Sequence, residues 1–104
     1  MIYVHNMYII INVRIIWDEH KNRKNKKKHG IWFEDAQRVF DDPNHKVFFD
    51  SDHSAESEDR FIIIGMTDTK ILVISYAEYD ADDLVKIISA RKAEPKEENF
   101  YYER

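Results

Sequence analysis

Lys86-Ile87-Ile88-Ser89-Ala90-Arg91-Lys92 is the stretch on which the fold turns. Its β-branched residues read as a strand, and its basic end is placed where a sheet edge can present charge. Working back from it, Leu84–Ala90, Ile71–Tyr79 and Arg60–Met66 form three consecutive strand-like segments. They are joined by Thr67-Asp68-Thr69-Lys70 and Asp80-Ala81-Asp82-Asp83. Loops this short predict an antiparallel meander. Strict alternation along the last strand puts Lys86 and Arg91 on opposite faces, unless the strand bulges.

Upstream, Lys46–Asp50 reads as a short strand and Ser51–Asp59 as a mobile acidic loop. Phe33, Ala36, Val39 and Phe40 have helical core spacing, and Asp42-Pro43-Asn44 ends that helix as a turn. A first helix runs from the N-cap Asp18 to the C-terminal stop Gly30. No apolar residue occurs between Asp18 and His29. Its anchors are therefore expected to be its flanks, Trp17 and Ile31-Trp32-Phe33, with both tryptophans in the core. Lys21, Asn25 and Lys28 share one face of it. Residues 2–16 read as a further strand, and Glu94-Pro95 opens a C-terminal helix with Phe100, Tyr101 and Tyr102 as its apolar side.

These elements predict an α+β fold with helices packed on a small antiparallel β-sheet. The 104 residues allow one core, so residues 1–104 are expected to form a single domain, with 1–13 as an extension of the 14–104 unit. No cysteine is present, which excludes disulfides and thiolate zinc sites. Met7-Tyr8-Ile9-Ile10-Ile11 is far too short to span a bilayer, and no secretory leader is legible, so a cytoplasmic protein is expected.

The net charge of −4 conceals a division along the chain. Residues 14–33 carry seven Lys/Arg against two Asp/Glu, whereas residues 34–59 carry nine acids against two bases. A basic block beside an acidic one points to a polyanion site on one side and a basic partner, or self-pairing, on the other.

Four blocks in order then resemble the BrnT family of toxin–antitoxin ribonucleases. They are Trp17-Asp18-Glu19-His20-Lys21-Asn22 through Asn25 to Lys28-His29-Gly30; Phe33-Glu34-Asp35-Ala36 with Val39-Phe40-Asp41-Asp42-Pro43; Asp52-His53-Ser54 with Arg60 and Gly65; and Ile87-Ile88-Ser89-Ala90-Arg91-Lys92-Ala93 with Glu97 and Tyr101. The chain departs from the family pattern at Lys86, where arginine is usual, and at Glu94, where threonine is usual. The resemblance implies a RelE-like fold and a toxin that cleaves RNA. It implies a cognate antitoxin of the ribbon-helix-helix type, with DNA engaged only through the complex, and no membrane partner.

Metal-free RNA cleavage needs a base for the 2′-OH, positive charge around phosphorus and an acid for the leaving oxygen. Arg60 and Arg91 are the first candidates for charge stabilisation, with Lys86 as a further phosphate contact. Tyr76 and Glu78 share a strand face and are the acid–base candidates. Lys21, Asn25, Lys28 and His29 are candidate RNA contacts. No cofactor is expected. His53, beside Asp50 and Asp52, is not read as a metal site, and His5, His20 and His45 read as surface residues. The second reading of the chain is a non-catalytic toxin homologue that binds its antitoxin and acts as co-repressor.

Overall fold

In the computed structural model, residues 2–4, 14–55, 58–79 and 84–103 are described. Six strands form one sheet: β1 (Ile2–Val4), β2 (Arg14–Trp17), β3 (Lys46–Phe49), β4 (Asp59–Thr67), β5 (Lys70–Tyr79) and β6 (Leu84–Lys92). The spatial order is β1-β3-β4-β5-β6-β2, antiparallel except where β2 runs parallel to β6. The helices are α1 (Glu19–His29), α2 (Phe33–Ala36), which tightens into a 3-10 turn over Gln37–Asp41, and α3 (Pro95–Tyr102). The α+β class and the meander expected from the sequence are both present. The strand expected over residues 2–16 is represented by β1 and β2, and residues 5–13 lie outside the described part, as does His5.

The two faces of the sheet are unequally covered. Ile63, Ile74, Tyr76, Val85, Ile87 and Ala90 pack on one face beneath Ile31, Phe33, Ala36, Val39 and Phe40. On the other face α3 covers only one end, where Tyr101 and Phe100 pack with Ile64, Ile71 and Val73. The rest of this second face has no helix over it among the described residues. Gly65 permits the close approach of the 3-10 turn, since a Cβ there would lie 2.5 Å from Val39 Cγ1.

Helix α1 is specified at its ends as the sequence predicts. The Asp18 carboxylate accepts from the N–H groups of His20 (2.8 Å) and Lys21 (3.2 Å), and Gly30 takes a left-handed φ of 76°. Its middle is attached differently from expectation. Asn22 and Asn25 are buried, at 0% and 6% exposure, and they replace an apolar stripe with hydrogen bonds. Asn22 Oδ1 accepts from the Phe33 N–H (2.7 Å), and its Nδ2 donates to Glu34 Oε1 (2.7 Å). Asn22 thereby ties α1 to the first turn of α2.

Asn25 completes the attachment at the sheet edge. β2 pairs with β6 only as far as Ile87, which leaves the outer edge of Ala90 without a strand neighbour. Asn25 fills that place, accepting from Ala90 N–H (3.0 Å) and donating to Ala90 C=O (2.8 Å) and Ile31 C=O (2.9 Å). Buried edge groups need such partners, and an amide side chain carries the same donor and acceptor as a peptide.

Four further expectations change. Trp32 is 38% exposed, with Lys26 Nζ 5.7 Å from its ring centroid, whereas Trp17 does pack, edge-on against Phe33. His45 is buried, its Nδ1 2.7 Å from Asp42 C=O. The segment expected to be a mobile acidic loop is a loop whose described residues include a bonded turn. There Ser54 Oγ donates to Asp50 C=O and accepts from Arg60 N–H, and His53 Nδ1 meets Asp50 Oδ2 at 2.8 Å. The fourth change concerns β6 and reorganises the site.

Candidate active site

The pairing of β5 with β6 shifts between Ser75 and Tyr76, so Ser75 faces Ser89 while Tyr76 faces Ile87. Ile88 is the extra residue of a β-bulge, and the bulge resets alternation. Lys86, Ser89 and Arg91 consequently share a face, and Val85, Ile87 and Ala90 take the core side. Strict alternation puts Lys86 and Arg91 on opposite faces; the bulge puts them on the same one.

Arg60 lies on that same face. The register places Arg60 opposite Ala77, and Ala77 opposite Lys86, in one row across β4, β5 and β6. Neighbouring strands are about 4.8 Å apart, so the Arg60 and Lys86 backbones stand about 10 Å apart with only a methyl group between them. Ile16 of β2 continues the row beyond Lys86 and is 42% exposed. The row lies on the part of the second face that α3 leaves open. This row is the candidate cleft: a cation stands on each side of Ala77, which is itself fully buried, and two such charges suit a phosphodiester.

Two residues that sequence reasoning did not single out complete the Arg60 wall. Glu58 Oε2 accepts from Arg60 Nε (2.6 Å), and Glu58 Oε1 accepts from the Tyr79 hydroxyl (2.7 Å). Tyr79 donation, followed by Arg60, holds the Glu58 carboxyl below the usual carboxylate range, and Lys86 adds to this through space. The same hydrogen bond pushes the Tyr79 phenol upward. The grouping depends on the β4–β5 register across 21 residues, which no local spacing displays.

Of the other candidates, Arg91 shares the face but lies four residues further along the β5 register, opposite Val73. That is about 13 Å from the Arg60 row. Its guanidinium grips Glu97 through both terminal nitrogens, each at 2.8 Å, which ties the end of β6 to α3. Glu97 raises the Arg91 pKa further, and Arg91 holds Glu97 down.

Tyr76 and Glu78 do share a strand face, but it is the face opposite Arg60 and Lys86. Tyr76 is 2% exposed, edge-on to Phe40 and stacked on Phe61, and burial pushes its phenol upward. Tyr76 is placed in the core, and Glu78 is not brought to the cleft face.

Lys21, Lys28 and His29 do gather. Together with Lys24 they line a shallow depression of about 180 Å³ against Ile88 and Ser89, where the bulge meets α1. Asn25 forms its floor, with its polar atoms committed to Ala90 and Ile31. Ser89 belongs to both the depression and the cleft face, so the basic side of α1 adjoins the cleft.

Residues 17–97 match the ribonuclease toxin, BrnT, of type II toxin–antitoxin systems. The chain belongs to the BrnT family. A search of curated proteins finds no match. The BrnT match spans α1 through the first turn of α3, and includes Arg60, Lys86 and the whole of the basic depression. No helix among the described residues is long and apolar enough to cross a membrane.

Proposed function

We propose that this BrnT protein is a metal-independent endoribonuclease whose cleft is the Arg60–Ala77–Lys86 row, and that a cognate ribbon-helix-helix antitoxin neutralises it. The observation that carries this reading is the register that sets Arg60 and Lys86 in one row on the same face of the sheet, one on each side of the buried Ala77. RNA brings its own nucleophile, the 2′-OH, so the protein's principal task is to stabilise charge accumulating on phosphorus. Arg60 offers a planar fork for two phosphate oxygens, and Lys86 a point charge from the other wall. Lys21, Lys28 and His29 extend the positive field for neighbouring phosphates, and Arg91 is a more distant contact of the same kind. Exposed acids of the 34–59 stretch, Asp35, Asp41 and Asp52 among them, supply complementary charge for a basic antitoxin segment.

The test is cleavage of single-stranded RNA by the purified chain in the presence of EDTA. Cleavage is expected, with products ending in a 2′,3′-cyclic phosphate. It should be lost in Arg60→Ala and suppressed by the product of the adjacent reading frame. RNA left intact by a chain that still binds that product would overturn the reading and favour the non-catalytic co-repressor.

A further inference from the structure

We propose that Glu58 is the general base of this cleavage and that Tyr79 is the residue positioning it, an assignment that rests on the ribonuclease reading. Glu58 is the carboxylate bonded directly to the Arg60 wall of the cleft. Its two oxygens are held by two different residues, Arg60 at 2.6 Å and Tyr79 at 2.7 Å, which fixes the plane of the carboxylate. Its side chain is 26% exposed, so it is held and still reachable. Among described residues the Arg60 side chain is bonded through Nε alone, which leaves its terminal nitrogens for phosphate oxygens.

In-line displacement puts the attacking and leaving oxygens on opposite sides of phosphorus. A phosphate held between the Arg60 and Lys86 side chains has Glu58 and Arg60 on its β4 side and Lys86 on its β6 side. The 2′-OH gives its proton to Glu58 as the O2′–P bond forms. The P–O5′ bond breaks, and the 5′ oxygen takes a proton from the Lys86 ammonium. Solvent then returns the proton from Glu58 to Lys86, so the protein ends as it began. In the free protein Glu58 is held as a weak base by Tyr79 and Arg60. When the terminal nitrogens of Arg60 take the phosphate, its charge is shared, that hold weakens and the carboxylate becomes a better acceptor.

A glutamate that merely steadies Arg60 predicts different kinetics from a base. The full chain is assayed on a short single-stranded RNA across pH 4–9, with parent, Glu58→Gln, Glu58→Asp, Tyr79→Phe and Arg60→Ala compared. Circular dichroism confirms that each is folded. Glu58→Gln is expected to lower kcat by about 100-fold or more with little change in KM, and to abolish the acid limb of the profile. Glu58→Asp keeps the limb at reduced rate. Tyr79→Phe moves the limb to higher pH, because the phenol no longer stabilises the carboxylate.

Three results overturn the proposal. If Glu58→Gln raises KM and leaves kcat and the limb intact while Arg60→Ala is inactive, the ribonuclease reading stands and Glu58 is no base. If the limb is unmoved in Tyr79→Phe, the role of Tyr79 falls. If the parent chain cleaves no RNA, the base and the ribonuclease reading fall together.

Discussion

Asn25 stands in for a missing strand at Ala90, meeting both its N–H and its C=O at the free edge of β6. This single side chain joins α1 to the sheet 65 residues away in sequence. Asn25→Leu removes three buried hydrogen bonds and leaves the Ala90 groups without partners. A loss of about 2–4 kcal/mol is expected, because orphaned buried groups cost more than the bonds themselves contributed. Urea denaturation measures it, and a loss below about 1 kcal/mol would show that water or another group takes over the edge.

Gly65 tests the packing of the 3-10 turn against β4. A methyl group there would lie 2.5 Å from Val39 Cγ1 and 3.3 Å from Asp42 Oδ2. Gly65→Ala should destabilise by about 1–3 kcal/mol through overpacking. Combining it with Val39→Ala should cost less than the two changes summed, since the clash is then relieved.

The Arg91–Glu97 pair predicts a dependence on pH. Arg91 depresses the Glu97 pKa below its ordinary 4.5. The stabilisation is therefore complete above about pH 4.5 and lost as pH falls through the lowered value. Both side chains are partly exposed, so the effect is expected to be about 1 kcal/mol or less. Thermal melts of Glu97→Gln should lie below the parent at pH 7 and converge with it as the pH falls through the lowered Glu97 value.

Salt dependence addresses α1. For single strands, log K falls with log salt at about −0.7 per phosphate neutralised. Lys21→Ala with Lys28→Ala should make the slope for RNA binding shallower by about 1.4 and leave the urea midpoint within experimental error. An unchanged slope would remove α1 from the RNA surface.

Tyr76→Phe separates the two faces of the sheet. Its ring packs in the core away from Arg60 and Lys86, so RNA cleavage should stay within about twofold of the parent, a span of about 0.4 kcal/mol in barrier. A large loss of cleavage in a folded variant would mean that the hydroxyl reaches the substrate.

Local rules sufficed where structure is made locally. Asp18 and Gly30 bounded α1, short turns dictated the β4–β5–β6 meander, and the spacing of Phe33, Ala36, Val39 and Phe40 marked the residues that cover the sheet. The class of the protein was legible in its motif blocks. Alternation, however, is a rule for unbroken strands, and one extra residue at Ile88 turns Lys86 and Arg91 to the same side of the sheet. The Glu58–Arg60–Tyr79 cluster arises from register between distant segments, which periodicity does not encode. The docking of α1 was hidden for another reason. Asparagine in a helix reads as a solvated residue until the unpaired strand edge it serves is known.

That manner of docking separates two properties which most helices must trade against each other. Two amides fasten α1, so no greasy stripe has to be kept on it, and Lys21, Lys24 and Lys28 stay exposed on its surface. Substitutions among Lys21, Lys24 and Lys28 can retune the grip on a polyanion in successive generations while the folded state is untouched. Appetite for a target and durability of the scaffold are thus written at different positions of the same eleven residues.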